Sequence, residues 1–236
     1  MGGRVIPFDT PKSSVTKDRI LDAAEALFME HGFEATTLRQ ITAAAGVNLA
    51  AVHYHFGSKE ELFEAVLTRR LDPMNQERLA LLTRFEQESA PKALSCEKIL
   101  AAMFIPALRL ARDPERGGKN FLRLLGRAYA DPAPFIRQFL SDQYAVVIAR
   151  FKAAFGRALP QLPKKELVWR LHFVMGALSF TLAGTDALKL IAALSRGEAN
   201  DEMLLRRLAP FLIAGLKAPL PDLSELDGAS DKLSPR

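Results

Sequence analysis

Residues 46–59 read G-V-N-L-A-A-V-H-Y-H-F-G-S-K, and inside that stretch His53, Tyr54 and His55 stand side by side. Two imidazoles and a phenol can hold a metal, move a proton or donate hydrogen bonds to an anion. Spacing separates these options. On a helix, residues two apart point roughly 200° away from each other, so His53 and His55 cannot close on one ion as an i, i+4 pair does. No Asp, Glu or Cys lies among residues 46–57 to complete a ligand set. The chain contains no G-x-S-x-G, no H-E-x-x-H, no phosphate-binding loop and no dinucleotide fingerprint. Cys96, isolated in L-S-C-E-K, reads as a plain thiol. No catalytic residue, metal or cofactor is expected. What remains is hydrogen-bond donation. At 100° per residue Ala50, Ala51, Tyr54 and His55 share one face, and Leu49, Val52 and Phe56 share the other. An outward Tyr beside an outward His suits phosphate oxygens, which accept from O–H and N–H.

Such a face needs short, well-capped elements to hold it, and the flanking residues supply them. From Thr16, Ile20, Leu21, Ala24, Leu27 and Phe28 follow helical spacing, and Gly32 stops the run. Thr37-Leu-Arg-Gln40 is a capping box that opens a helix over Leu38–Ala45. Gly46 breaks it, and Asn48 is an N-cap for a second short helix over Leu49–Phe56. Gly57 ends that one. Ser58-Lys-Glu-Glu61 is another capping box, opening a long helix through Leu62, Phe63, Val66, Leu67 and Leu71. Two short helices across Gly46-Val47-Asn48 form a helix-turn-helix. In such a unit the second helix lies in the DNA major groove while the first crosses the backbone.

The rest of the chain is read as helical segments separated by Pro and Gly breaks, with no strand-like alternation. Composition agrees: 236 residues with 49% hydrophobic and 25% charged residues describe a globular chain with a sizeable core. A net charge of +5 leans only mildly toward an anionic partner. Residues 12–70 carry seven Lys/Arg against eight Asp/Glu, so DNA binding must rest on placed donors rather than overall charge. A single cysteine suits a reducing compartment. No signal-like apolar core opens the chain, and no apolar run reaches the roughly 20 residues of a membrane span. A cytoplasmic protein without a membrane partner is expected. The division reads as a flexible arm over 1–15, a helix-turn-helix head over 16–71, a larger helical bundle over 72–218 and a disordered tail over 219–236.

The stretch R-I-L-D-A-A-E-A-L-F-M-E-H-G-F-E-A-T-T-L-R-Q-I-T-A-A-A-G-V-N-L-A-A-V-H-Y-H-F-G-S-K-E-E-L-F, from Arg19, resembles the TetR family of transcriptional regulators. The resemblance rests on A-x-x-L-F-x-x-x-G-F, T-T-x-R-x-I, A-G-V and Y-H-F-x-S-K-E-x-L taken together. It implies DNA roles by position. Thr37 caps a helix whose amides hold a phosphate, Arg39 reaches a base edge, and Tyr54, His55 and Lys59 hold the backbone. The family usually has a tyrosine where this chain has His53. Lys59 also stands at a helix N-terminus, where a cation is electrostatically misplaced, a hint of an anionic partner. Arg39 and Asn48 are the evident bidentate base readers, whereas Leu49, Ala50 and Ala51 can only touch thymine methyls or fit shape.

The resemblance further implies that the second domain dimerises and holds a small-molecule effector, so that a two-fold dimer would read a palindromic operator. N-F-L-R-L-L-G-R-A-Y, L-V-W-R-L-H-F-V-M-G-A-L-S-F-T-L-A-G and L-A-P-F-L-I-A-G-L look like the fatty-acid-responsive PsrA-type branch, which implies a long-chain fatty acid or acyl-CoA effector. Arg123, Trp169, Arg170, His172 and Phe173 are the candidate ligand contacts, because charged groups on apolar helices can pair with a ligand carboxylate or phosphate. They can equally pair with a buried Glu or another subunit, and the aromatics can simply fill the core. Helices over Lys164 to about Asp186 and Asp201–Leu216 offer a four-helix dimer interface. Two alternatives stay open: a regulator of the same fold, answering to an unrelated aromatic or drug-like ligand, and an all-helical interaction protein without DNA binding.

Overall fold

A computed structural model of the protein describes residues 11–114, 117–130, 133–182 and 201–221. Among the described residues there are helices and no strands. They are α1 (Pro11–Ala35), α2 (Leu38–Ala45), α3 (Leu49–Phe56), α4 (Lys59–Ser89), α5 (Cys96–Ala111), α6 (Gly118–Ala130), α7 (Pro134–Ala158), α8 (Lys164–Leu182) and α9 (Asp201–Lys217). The all-α expectation holds. No helix among the described residues is long and apolar enough to cross a membrane. Residues 1–10 and 222–236 lie outside the described residues, so only the edges of the expected arm and tail can be compared. α1 begins at Pro11, inside the span expected as an arm. Proline suits a first helical position because its missing N–H has no partner there anyway.

α1 to α3 pack with the start of α4 as the head. Ile20 and Phe28 of α1, Ile41 of α2, Val52 of α3 and Phe63 of α4 are all buried. Phe28 and Phe63 meet edge-on with centroids 5.0 Å apart. Gly32 interrupts the helical run at φ 81°, ψ 174°, and the buried Thr36 hydroxyl ties off the end by donating to Gly32 O at 2.7 Å.

The boundary read between residues 71 and 72 falls inside α4, which continues to Ser89 with Pro73 within it. Proline removes one hydrogen bond from a helix interior, but buried Leu71, Met74 and Leu82 on either side keep the element in place. The boundary is therefore a change of partners along one helix: α1 and α3 contact α4 in the head, and α5 and α7 contact it in the body. The remaining helices close around that body, α6 on α8 and α9 on both α5 and α8.

Head and body meet along a seam. Phe135, at the start of α7, lies 4.8 Å from the Phe33 ring. The buried Glu25 of α1 accepts from Arg70 of α4 at 2.9 and 3.0 Å. At Gly117 (φ +89°), which leads into α6, an added Cβ would stand 2.8 Å from the Glu25 carboxylate. Only glycine fits that approach and that backbone angle.

At the far end, Lys217 of α9 donates to Glu97 of α5 at 2.6 Å. That hydrogen bond, first among several causes, lowers the Glu97 carboxyl from 4.5 to about 2. A depressed carboxyl contributes stability above its unfolded value and loses it as pH falls through the folded one. Glu97→Gln is expected to remove a small stabilising contribution lost between about pH 4.5 and about pH 2. Denaturant melts of both proteins across that range check it, and identical acid profiles would refute it.

Candidate nucleic-acid interface

The expected caps are present. Thr37 and Gln40 form the reciprocal capping box on α2, Asn48 accepts from Ala51 N on α3, and Ser58 with Glu61 repeats the box on α4. Gly46 closes α2 in the left-handed conformation at φ 61°. One contact escapes any local reading: Arg19 Nη2 of α1 donates to Ala45 O at 2.5 Å and Gly46 O at 3.3 Å. It satisfies carbonyls left open at the end of α2 and so fixes the turn that aims α3. The only sequence signal was a cation one helix away.

α3 presents the expected face with one change. Val52 and Phe56 are buried, whereas Tyr54 is 71% exposed. Ala50 and His53 are exposed, and Ala51 and His55 half-buried. Leu49, which helical spacing puts with Val52 and which is also expected to touch thymine methyls, is 42% exposed. It opens the helix, where fewer neighbours cover it, and this places it with the outward set. Tyr54 and His55 rings meet edge-on at 5.0 Å. His53 Nδ1 donates to Gly57 O at 2.6 Å. A carbonyl only accepts, so the second nitrogen, Nε2, can donate to a phosphate only in the charged ring. Arg39, Thr37 and Asn48 are exposed at the starts of α2 and α3.

Lys59 is placed differently. Its Nζ donates to Phe33 O and Thr36 O, both at 2.9 Å, and stands 4.1 Å over the Phe33 ring. The cation that looked misplaced at the start of α4 ties down the last turn of α1 and the residue after it. Its position is explained within the chain, so it no longer argues for an anionic partner.

Of the five effector candidates, Trp169, His172 and Phe173 meet as rings on α8, with centroids 5.9 to 6.1 Å apart; Arg123 and Arg170 stand apart from them. Arg123 is exposed on α6 and His172 on α8. Trp169 and Phe173 are 59% and 63% exposed, stacked on each other with centroids 6.0 Å apart. Arg170 is buried but fully engaged. It bridges Glu166 at 2.7 Å and donates to Leu216 O, Ala218 O and Pro219 O at 2.8, 2.7 and 2.9 Å. It is therefore corrected from a ligand contact to the C-terminal cap of α9. A groove of about 460 Å³ lies where α4, the 90–94 loop and α7 meet, with Arg150 and Arg157 on its wall. None of the five lines it.

This arrangement is a helix-turn-helix head on a helical body, and comparison with known proteins gives its class. Residues 20–66 match the model for bacterial regulatory proteins of the tetR family, and residues 101–215 match the tetracyclin repressor-like C-terminal domain. The transcriptional repressor BepR of Brucella suis is 30% identical over 151 residues, which is 62% of this chain and 69% of BepR. The chain belongs to the TetR family of DNA-binding transcriptional regulators, which are not enzymes. KstR2 of Rhodococcus jostii is 39% identical over 66 residues, 28% of this chain and 32% of KstR2. Among solved structures, SmeT, repressor of the Stenotrophomonas maltophilia multidrug efflux pump SmeDEF, is 25% identical with a TM-score of 0.56, over 87% of this chain and 90% of SmeT. FadR from Bacillus subtilis, solved with stearoyl-CoA, shares the fold at a TM-score of 0.57 and 16% identity, over 84% of this chain and 98% of FadR.

Proposed function

We propose that this chain is a repressor that binds a palindromic operator as a two-fold dimer, with α3 in the major groove, and leaves it when a small effector with an apolar body binds the second domain. The observation that carries the DNA half is Tyr54, 71% exposed on a helix whose opposite face is buried. Its hydroxyl is a hydrogen-bond donor for a phosphate oxygen. The dimer rests on α8. Trp169, Phe173 and Phe180 follow one another down an exposed face, and beside them nothing stands within 4 Å of a Cβ added at Gly176. Phe211 on α9 is also exposed. Two such helices per subunit can form a four-helix interface. The stearoyl-CoA bound to FadR, which shares this fold, supports an effector with an apolar body.

Base reading is assigned to Arg39, with Asn48, since the exposed Leu49 and Ala50 offer no hydrogen bonds. Arg39→Ala is expected to weaken operator binding roughly tenfold to a hundredfold while leaving random DNA nearly unaffected, as loss of one bidentate base contact would. Fluorescence anisotropy on DNA from upstream of the protein's own gene, against a shuffled control, measures this. A variant that keeps the full operator preference would refute the assignment. Wild-type protein with no preference for any such DNA would refute the repressor reading itself.

A further inference from the structure

Arg78, on α4 in the body, is 6% exposed. Its Nε donates to Met103 O of α5 at 3.0 Å and its Nη1 to Asn75 Oδ1 at 2.9 Å. The Tyr129 hydroxyl of α6 hydrogen-bonds the same guanidinium. All three partners are neutral. The other buried or nearly buried arginines differ: Arg70 has Glu25 at 2.9 Å and Arg170 has Glu166 at 2.7 Å. Among the described residues no carboxylate forms an ion pair with Arg78. Burial lowers its pKa, with Tyr129 acting in the opposite direction, yet an arginine stays protonated in a protein. Neutral acceptors satisfy its N–H groups and explain where it points. They do not offset a full positive charge removed from water, which is unfavourable without a counter-charge.

We propose that the effector carries an anionic head group, a carboxylate or a phosphate ester, that pairs with Arg78 at the junction of α4, α5 and α6. The proposal rests on the ligand-responsive reading above and narrows its ligand class. Guanidinium is the side chain best matched to such heads, because its planar fork binds two oxygens at once. Leu82 of α4, Ile99 of α5 and Phe121 of α6 are buried on the three helices that meet at Arg78, which suits an apolar body behind the anion. The same residue sits on the helix whose other end is built into the DNA-binding head.

The test uses the full chain and four probes of one chain length, below their micelle concentrations: dodecanoate, dodecyl phosphate, dodecanol and dodecyltrimethylammonium. Calorimetry reads binding and anisotropy reads operator release. At least one anion should bind saturably, about tenfold tighter than the alcohol, the order a charge-assisted hydrogen bond contributes, and the cation should not bind. The preferred anion identifies the head group. Arg78→Met should erase the preference and Arg78→Lys should keep part of it. If Arg78→Met does not fold, the nitrogen resonance of Arg78 Nε in the wild type serves instead, moving with the anion and not with the alcohol. Equal binding of anion and alcohol, no saturable anion binding, a folded Arg78→Met that keeps the preference, or an unmoved resonance would each overturn the proposal. Release by dodecanol as readily as by dodecanoate keeps the ligand-responsive reading and discards the anchor. Arg78-dependent binding without release does the reverse.

Discussion

Arg170→Met is expected to lower stability by about 3–5 kcal/mol, the usual loss when one member of a buried, hydrogen-bonded ion pair is removed. The cost follows from what the guanidinium holds. It joins Glu166 on its own helix to the carbonyls of Leu216, Ala218 and Pro219 at the end of α9. Those carbonyls have no intrahelical partner, and methionine offers them no donor. Leu212 and Leu216 are buried, so α9 cannot leave the body without exposing them. Arg170→Lys keeps the charge and loses the fork, and should fall between the two. The melting midpoint should drop by about 10 °C for a chain of this size. Sedimentation should show a weaker dimer, because α9 carries Phe211 beside the proposed interface. A methionine variant with the wild-type midpoint would remove Arg170 from any structural role.

Glu25→Ala is the second large effect, expected at about 2–4 kcal/mol. Glu25 is 3% exposed and accepts three hydrogen bonds from Arg70, at 2.9, 3.3 and 3.0 Å. Arg69 stands 3.7 Å from the same carboxylate, but its closer partner is Asp22 at 2.6 Å. Burial decides which acid matters. Asp22 is well exposed, and a surface pair contributes about 0–1 kcal/mol, so Asp22→Ala should be nearly silent. Chemical denaturation of the two variants gives the comparison. Equal losses would mean that the buried pair contributes no more than the exposed one. Glu25 also abuts Gly117 at the entry to α6, so its loss should loosen the seam between head and body as well as the head itself.

The features legible in the sequence are those whose cause is local. Thr37 with Gln40, Asn48 with Ala51 and Ser58 with Glu61 each act over three residues, and all three caps appear where the residue types place them. The buried face of α3 was legible except for Leu49, whose exposure depends on what covers the helix start. Lys59 and Arg170 were misread because their partners lie far along the chain: Phe33 is 26 residues from Lys59, and Leu216 is 46 from Arg170. A cation on an apolar helix looks the same in sequence whether it caps a distant helix or awaits a ligand. Trp169 and Phe173 posed the same problem with apolar residues. α8 is apolar on more than one side, so periodicity could not separate a core face from an outward one. Arg78 had a signal of the same kind, a cation flanked by core positions Met74 and Leu82, and its neutral surroundings became visible only once α5 and α6 were in place.

α4 carries Phe63 in the core of the head and Arg78 in the core of the body, 15 residues apart and therefore about 22 Å along one axis. An anion drawn to Arg78 and an operator drawn to α3 would then act on opposite ends of one element. Coupling of that kind is reciprocal: whatever factor the effector takes from DNA affinity, bound DNA takes from effector affinity. The DNA-bound protein therefore binds the effector more weakly than the free protein, by that same factor. A repressor built this way answers first in the copies that are not on DNA, and its threshold rises with the strength of the operator it guards.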